Sequence, residues 1–381
     1  MKGATVNISM MLTVLLAAAL AAGACRKTDV EINDGSGSGG SVSEDVPMTF
    51  SVSADAHKPA KSVITAGNFQ TAGNTVRVYD RLTVGNRTDL YINGRDAEYR
   101  NDPQILPDGT VTSAGWHFMD GSRYWTRSGT HLFTAFLSGY HVADKDKPGG
   151  SFFNDIDDII ADPSDQSRPK LAVEYDDADG SLNIENWRIS TSNQFDFMYA
   201  THTRNVETAI SPYAPVPLKM EHLFTAVQFN ITNMVDYYPD SKAAIVILNG
   251  LNLSGSATVT PAASGCDVNT EINGMGQLTV NRTSALAYNQ PYNVFANVGN
   301  IGDDGCLLIW PHSQSELGAA SVELYLSDSI GDHYVLSLAN EDVTRWDAGN
   351  RYIYNFYIQD NRITFTVEVV GWIYDDVIIE G

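Results

Sequence analysis

Short segments in which apolar and polar residues alternate recur along most of the chain, and this repeat of two residues constrains the fold more than any other feature. The clearest example is ITFTVEVVGW, in which Ile363, Phe365 and Val367 lie on one side and the residues between them on the other. Comparable segments, such as TVRVYDRLTV and SVELYLSD, are separated by Gly, Asn, Asp and Pro. The pattern predicts β-strands joined by turns, and therefore an all-β fold.

Helical periodicity is scarce in this sequence. The best candidate is FFNDIDDIIAD, in which Phe152, Ile156 and Ile160 fall near one helical face. We therefore expect at most short helices within loops.

The acidic segment VEYDDADGSLNIENW suggests a calcium loop, but its spacing does not fit one. When Gly180 takes the sixth place of an EF-hand loop, Glu185 falls one residue before the place of the last ligand. The segment predicts instead a β-hairpin that turns at Asp179 and Gly180, since glycine tolerates a positive φ.

The start of the chain has the features of an export signal followed by a tether. The apolar run that ends at Ala24 is about 15 residues long, shorter than the roughly 20 that a membrane-spanning helix needs. Small residues precede Cys25, which resembles the bacterial lipobox, in which the cysteine becomes the lipid-bearing first residue. We predict a lipoprotein signal peptide over residues 1–24, lipidation of Cys25 and a flexible tether over residues 25–45. Plain secretion with an incidental Cys25 is the alternative.

The roughly 340 residues after the tether exceed what one hydrophobic core usually serves, so two domains are expected. Pro212, Pro215 and Pro217 mark the boundary, because each lacks an amide hydrogen and restrains the residue before it, which argues against regular structure there. We predict an N-terminal β-domain over residues 46–211 and a C-terminal one over residues 212–381.

Charge and motifs argue against several classes of function. The formal net charge of −22 repels phosphate backbones, so no nucleic-acid partner is expected. The eight histidines are scattered, and no HExxH, GxSxG, Walker or SxxK motif occurs. The sequence predicts no catalytic residues, no cofactor and no metal site, and the acidic cluster at residues 155–165 is interpreted as a solvated loop.

Cys266 and Cys306 both lie beside glycines in turn-like contexts. An exported protein can keep a disulfide, so this pair is a candidate disulfide. Two separate thiols are the alternative.

A series of segments follows in a fixed order along the chain. VPMTFSV and KSVITAGNFQTAGNTVRVYD come first, then YWTRSGTHLFTAFLSGY, QFDFMYATHT and VPLKMEHLFTAVQFNI, and finally LLIWPHSQ, WDAGNRYIYNFYI and ITFTVEVVGW. Together they resemble the Mfa-like branch of the fimbrillin family of Bacteroidales. The resemblance implies two transthyretin-like β-sandwich domains in tandem. It also implies a non-enzymatic pilus subunit or adhesin, exported as a lipoprotein to the outer membrane, with other fimbrial subunits and a host or bacterial surface receptor as partners.

The resemblance further implies that the first strand is removed by proteolysis and replaced by a strand of a neighbouring subunit, which is β-strand addition to an open sheet edge. Residues 46–52 are predicted to be that strand. Lys58 is followed by a proline, which hinders cleavage, so Lys61 and Ser62 form the predicted processing site. Residues 373–381 extend to about 30 Å at roughly 3.3 Å per residue, which suits a subunit that accepts a strand, such as a tip subunit.

A surface lipoprotein that binds glycans is the alternative function. It would have the same anchor and β-domains, but it needs an exposed aromatic platform. The six tryptophans mostly stand within strand patterns, which favours core packing over stacking on carbohydrate.

Overall fold

The structure is a computed structural model that describes residues 42–54, 69–101, 104–105, 111–112, 114–143, 149–165, 170–235, 243–263, 265–281, 286–302, 305–326, 332–359 and 362–371. Its strands, in chain order, are β1 (Val42–Pro47), β2 (Phe50–Ala54), β3 (Thr75–Val84), β4 (Arg87–Arg100), β5 (Gln104–Ile105), β6 (Val111–Thr112), β7 (Gly115–Phe118), β8 (Tyr124–Thr126), β9 (Thr130–Ala143), β10 (Ser151–Asp155), β11 (Val173–Tyr175), β12 (Leu182–Arg188), β13 (Met198–Asn205), β14 (Val216–His222), β15 (Thr225–Asn233), β16 (Ala243–Pro261), β17 (Cys266–Asn281), β18 (Pro291–Asn293), β19 (Leu307–Ile309), β20 (Ser321–Leu326), β21 (Asp332–Ser337), β22 (Asn350–Gln359) and β23 (Arg362–Gly371). Short helices include a 3₁₀ helix (Ile156–Asp158) and α1 (Gln314–Ala319). None of the helices in the described part of the chain is both long and apolar enough to cross a membrane. The predicted all-β fold is confirmed.

Seven strands close into a ring. Their order is β9, β13, β14, β2, β7, β4 and β3, and β3 pairs again with β9. β10 extends the sheet from β9, while β1 pairs with β8 in a separate two-stranded ladder. Each strand of the ring therefore has a hydrogen-bonded neighbour on both sides over at least part of its length.

The strand predicted over residues 46–52 is in fact two strands. β1 ends at Pro47 and β2 begins at Phe50, and the two have different neighbours. Between them the backbone N–H of Met48 donates to the carbonyl of Arg123 over 2.6 Å. β1 begins at Val42, within the segment predicted as a tether.

Contrary to prediction, regular structure continues through part of the proline-rich segment. β14 begins at Val216 and includes Pro217, which pairs with Ser51 of β2. β13 pairs only with the far end of β14, at Glu221 and His222. Pro217 is tolerated because only β2 pairs with β14 at this residue. No described strand lies on the other side that would need a hydrogen bond from the missing N–H.

β5 and β6 form a two-stranded ladder, and two larger sheets contain the other strands of the described residues. β16 pairs with β17 along one edge. Its other edge pairs with β20 and with β12, and these two strands pair in turn with β21 and β11. β15 runs parallel to β22, which pairs with β23, while β18 and β19 pair with the opposite edge of β15. Buried residues of β15, β16, β20 and β22 share one core. The domain boundary after residue 211 stays a prediction, and strands on its two sides share sheets, since β14 belongs to the ring and β12 pairs with β16.

The predicted hairpin after β11 is confirmed. β11 and β12 pair antiparallel from Val173 opposite Ile184 to Tyr175 opposite Leu182, and Gly180 in the turn has a φ of +86°.

The helical candidate FFNDIDDIIAD is mostly not a helix. It forms β10 followed by one 3₁₀ turn, in which the Asp155 carboxylate accepts a hydrogen bond from the Asp157 N–H over 2.9 Å. Pairing of β10 with β9 outweighs the helical period. α1 is a six-residue helix in the connection between β19 and β20, in agreement with the expectation of short helices within loops, and it begins with a capping box of Ser313 and Glu316.

Candidate strand-acceptor site

β2 lies between β14 and β7, and we call the space that it fills the β2 seat. It runs parallel to β14 in register from Phe50 opposite Val216 to Ala54 opposite Met220, and it meets β7 in one antiparallel pair, Phe50 opposite Trp116. β14 and β7 share no ladder with each other among the described residues. Removing β2 would therefore leave two strand edges with unpaired backbone groups.

Every second residue from Met48 to Val52, the segment that leads into and fills the β2 seat, is buried. Met48, Phe50 and Val52 are buried, whereas Thr49 and Ser51 are half-buried. This alternation defines the register of β2, because a shift by one residue would turn the apolar residues outward.

Aromatic rings surround Phe50 in the β2 seat. Its ring meets Phe118 edge to face, with centroids 5.2 Å apart, and Phe133 in the same way at 6.0 Å. Trp116 packs against Phe69 with centroids 5.5 Å apart. β14 buries every second side chain; these are Val216, Leu218, Met220 and His222. Without β2, the seat would be an apolar slot that another extended, alternating strand could fill.

The predicted processing and anchoring residues fall outside the described residues. β2 ends at Ala54 and the next described residue is Phe69, so Lys61 and Ser62 belong to the connection that follows β2. Cys25 precedes the first described residue. The lipidation and processing sites therefore stay predictions.

Cys266 and Cys306 form no disulfide in this structure. Cys266 is half-buried at the start of β17, with its Sγ 3.3 Å from the hydroxyl of Thr201. Cys306 is buried just before β19, a strand of a different sheet. The alternative of two separate thiols is the arrangement found.

The tryptophans of the described residues form no exposed platform. Trp116, Trp125, Trp187, Trp310 and Trp346 are all buried in the cores. The sixth, Trp372, lies outside the described residues. The aromatic face that the glycan-binding alternative needs is thus not supplied by these five side chains.

The acidic cluster after β10 is partly paired with cations. Arg77 donates to Asp157 over 3.0 Å and to Asp96 over 3.0 Å, and Lys170 lies 2.7 Å from Asp158. The hydrogen bond from Arg77 lowers the pKa of Asp157. No group of three or more His, Cys, Asp or Glu side chains within the described ranges is placed to hold a metal ion.

A buried polar chain beneath β8 was not predicted. His131 Nδ1 lies 2.6 Å from Asp80, and Nε2 lies 2.8 Å from the hydroxyl of Thr126. That hydroxyl donates its single proton to the carbonyl of Ser128, so Nε2 of His131 must be the donor to Thr126. Burial raises the pKa of Asp80, against the influence of His131.

This Thr–His–Asp order resembles a nucleophilic triad, but its surroundings make it structural. Thr126 is 3% exposed, and Asp80 and His131 are fully buried inside the ring. The proton of Thr126 is also committed to Ser128. One sequence signal could have revealed these hydrogen-bonded polar residues, namely the polar Asp80 at an inward position of β3, between buried residues.

Comparisons with known proteins point to one family. The model of a family described as fimbrillin-like matches residues 65–372. No curated protein sequence matches the chain.

Similar solved structures include proteins from Bacteroides and Porphyromonas. A proposed cell adhesion protein from Bacteroides uniformis ATCC 8492 is 12% identical, with a TM-score of 0.48 over 86% of this chain and 99% of that one. A fimbrial protein from Bacteroides vulgatus ATCC 8482 is 14% identical, with a TM-score of 0.43 over 86% and 100% of the two chains. The C-terminally truncated tip fimbrial protein Mfa3 from Porphyromonas gingivalis is 11% identical, with a TM-score of 0.33 over 84% and 98%.

Proposed function

The chain belongs to the fimbrillin-like family, and on this premise we propose that it is a fimbrial subunit that accepts a strand from a neighbouring subunit in the β2 seat. The observation that carries the proposal is the position of β2. It is the first strand of the ring, and it lies between two strands that have no ladder with each other in the described structure. The predicted processing site, Lys61 and Ser62, belongs to the connection that directly follows β2.

In the proposed assembly, cleavage after Lys61 disconnects β1 and β2 from the ring. A donor strand then replaces β2 and restores the backbone hydrogen bonds of β14 and β7. Its side chains must match the seat, with an aromatic residue at the place of Phe50 and an aliphatic one at the place of Val52, because those positions are buried.

The export route is part of the same proposal. A signal peptide over residues 1–24 and lipidation of Cys25 would deliver the subunit to the outer membrane, and the fimbrial family supports a place at the cell surface. A tip position within the fibre stays a prediction. A receptor-binding role in adhesion belongs to the proposal as well.

The test is uptake of a strand after cleavage. A fluorescent peptide that copies residues 46–54 is added to purified protein before and after limited digestion with a trypsin-like protease, and its anisotropy is followed. We expect binding only after cleavage at Lys61, and none for a peptide that carries Phe50→Asp. The Lys61→Ala variant should remain uncut in this connection and bind no peptide.

The opposite result is equally clear. A protein that is cut cleanly at Lys61, stays a folded monomer by light scattering and takes up neither peptide would overturn strand acceptance in the β2 seat.

A further inference from the structure

A polar depression on the sheet formed by β12, β16 and β17 plays no part in the proposed assembly. Its volume of about 410 Å³ lies within the roughly 300–1,000 Å³ typical of small-molecule sites. The residues that line it are Asn183, Ile184, Glu185, Asn186, Ser256, Ala257, Thr258, Glu271 and Asn273. Apart from Ile184 and Ala257, which are buried, these side chains are exposed or half-buried.

A bulge in β12 shapes one wall of the depression. Its pairing with β16 shifts register between Ile184 and Trp187, and Asn186 has a φ of +50°. Asparagine tolerates this left-handed conformation better than most residues. Because a bulge leaves an extra residue outside the ladder, Glu185 and Asn186 are both exposed beside the depression.

Hydrogen bonds within the depression fix which groups remain for a ligand. Ser256 Oγ accepts from the backbone N–H of Asn186 over 3.0 Å and from the side-chain amide of Asn273 over 3.2 Å. The hydroxyl proton of Ser256 therefore has no acceptor among the described residues and is available for donation outward.

A second amide is arranged in the same way. Thr258 donates its hydroxyl proton to the side-chain carbonyl of Asn183 over 3.0 Å. Within the described structure this leaves the amide N–H₂ group of Asn183 as a donor at the surface. Hydroxyl and amide donors thus stand beside the carboxylates of Glu185 and Glu271, which can only accept when ionised.

The charge of the depression limits what it can bind. Two of its nine lining residues are carboxylates and none is Lys or Arg, and the whole chain carries a net charge of −22. An anionic ligand would be repelled. A ligand that both donates and accepts hydrogen bonds through several hydroxyl groups and carries no negative charge satisfies the lining.

From this arrangement we propose that the depression is a binding site for the sugar units of a neutral glycan. Hydroxyl groups of the glycan donate to Glu185 and Glu271 and accept from Ser256 and Asn183. The site differs from an aromatic platform, since its recognition depends on hydrogen bonds alone. The proposal is independent of strand acceptance, because the β2 seat contributes no residue to it.

The experiment measures binding of soluble neutral hexaoses of mannose, glucose and galactose to the purified full chain by saturation-transfer NMR and calorimetry. We expect at least one hexaose to bind, and its Kd to rise at least tenfold in Ser256→Ala and in Glu271→Gln. Glu341→Gln, which changes an exposed carboxylate elsewhere, should bind like the wild type. Thermal unfolding of each variant serves as the folding control.

Four results would overturn the proposal. One is the absence of binding for every neutral hexaose at millimolar concentration. A second is binding that both depression variants leave unchanged, and a third is binding that a hexauronic acid matches in strength. The fourth is a response of the depression to calcium chloride alone without any hexaose binding, which would make it a cation site.

Discussion

Phe50 is the residue on which the packing of the β2 seat most depends. Its ring contacts Phe118 and Phe133 edge to face, and it is buried. Phe50→Ala should lower the free energy of unfolding by about 3–5 kcal/mol, as truncations of buried aromatics do. Urea unfolding followed by circular dichroism measures this. The neighbouring Ser51→Ala, at a half-buried position, should change it by less than about 0.5 kcal/mol. Equal effects of the two substitutions would contradict the packing described here.

His312 should make stability depend on pH. It is buried, its Nδ1 donates to the carbonyl of Trp310 over 2.9 Å, and its Nε2 accepts the backbone N–H of Asn252 over 3.0 Å. Burial lowers the pKa of His312, because the charged ring would lose water and the Asn252 bond. Below about pH 6.5 the unfolded chain therefore binds a proton that the folded chain does not. The free energy of unfolding falls as the pH falls from about 6.5 towards the lowered pKa of the folded state.

The contribution of His312 is measured by difference. Urea unfolding of the wild type and of His312→Gln is compared at pH 7.5, 6.5 and 5.5. The wild type should lose up to about 1.4 kcal/mol more than the variant per pH unit below 6.5. Parallel pH profiles for the two proteins would show that His312 takes up its proton in the folded state as readily as in the unfolded one.

At the scale of elements, the loop before β19 approaches the end of β9 too closely for a larger residue. A Cβ added to Gly302 would lie 2.6 Å from the carbonyl oxygen of Ala143 and 2.7 Å from the side chain of Val142. Gly302→Ala should therefore destabilise the protein by about 1–3 kcal/mol, as overpacking does. Gly318→Ala is the matched control, since its Cβ would meet nothing within 4 Å and it lies in α1.

The two glycine variants should shift thermal unfolding in opposite directions. Alanine favours a helix over glycine by up to about 1 kcal/mol, so Gly318→Ala should raise the melting temperature while Gly302→Ala lowers it. A melting temperature unchanged by Gly302→Ala would mean that the loop does not approach β9 in solution.

The sequence predicts individual strands from the local alternation of apolar and polar residues. It does not predict which strands pair when they are far apart in the chain. The period of two in ITFTVEVVGW correctly predicts β23. The same period continues through Val46, Met48, Phe50 and Val52, so it gave no sign that the chain changes partners after Pro47. The parallel pairing of β2 with β14 depends on tertiary packing between remote segments, for which a single sequence carries no local signal.

The polar features of the interior were missed for a related reason. Asp80 and His131 meet only because β3 pairs with β9 in the ring, whereas Thr126 is five residues from His131 in the chain. Strand alternation marks Asp80 as an inward polar residue, but it does not identify its partner. Lys61 is predicted as the processing residue from its neighbours in the sequence alone, without any information on tertiary contacts, and its exposure stays a prediction.

At the scale of the whole molecule, an aromatic junction joins the ring to the other sheets. The aromatic side chain of Phe224 packs against Trp187 and against Trp310, and in each pair the centroids are 4.9 Å apart. Trp310 Nε1 also donates to the carbonyl of Trp187 over 3.1 Å. Trp187 precedes the predicted domain boundary and Trp310 follows it, so one core draws on both parts of the chain.

This shared core predicts that a fragment of residues 46–211 does not fold alone. The fragment lacks β14, so the ring would stay open between β13 and β2. It also lacks β16, the partner of β12, and it would expose Trp187, which Phe224 and Trp310 cover in the whole protein. Thermal and urea unfolding of the fragment should show no cooperative transition, whereas the full chain should show one.

A second fragment separates the two causes of this expected failure. Residues 46–235 restore β14 and Phe224 but still lack β16 and Trp310. If closure of the ring is what the N-terminal part needs, this longer fragment should unfold cooperatively at a lower temperature than the full chain. If β16 and the aromatic junction are also required, both fragments should bind the dye ANS and lack near-ultraviolet dichroism, as collapsed chains without fixed packing do. A cooperative transition in the shorter fragment would instead show that residues 46–211 are a domain in the strict sense, able to fold with the ring open.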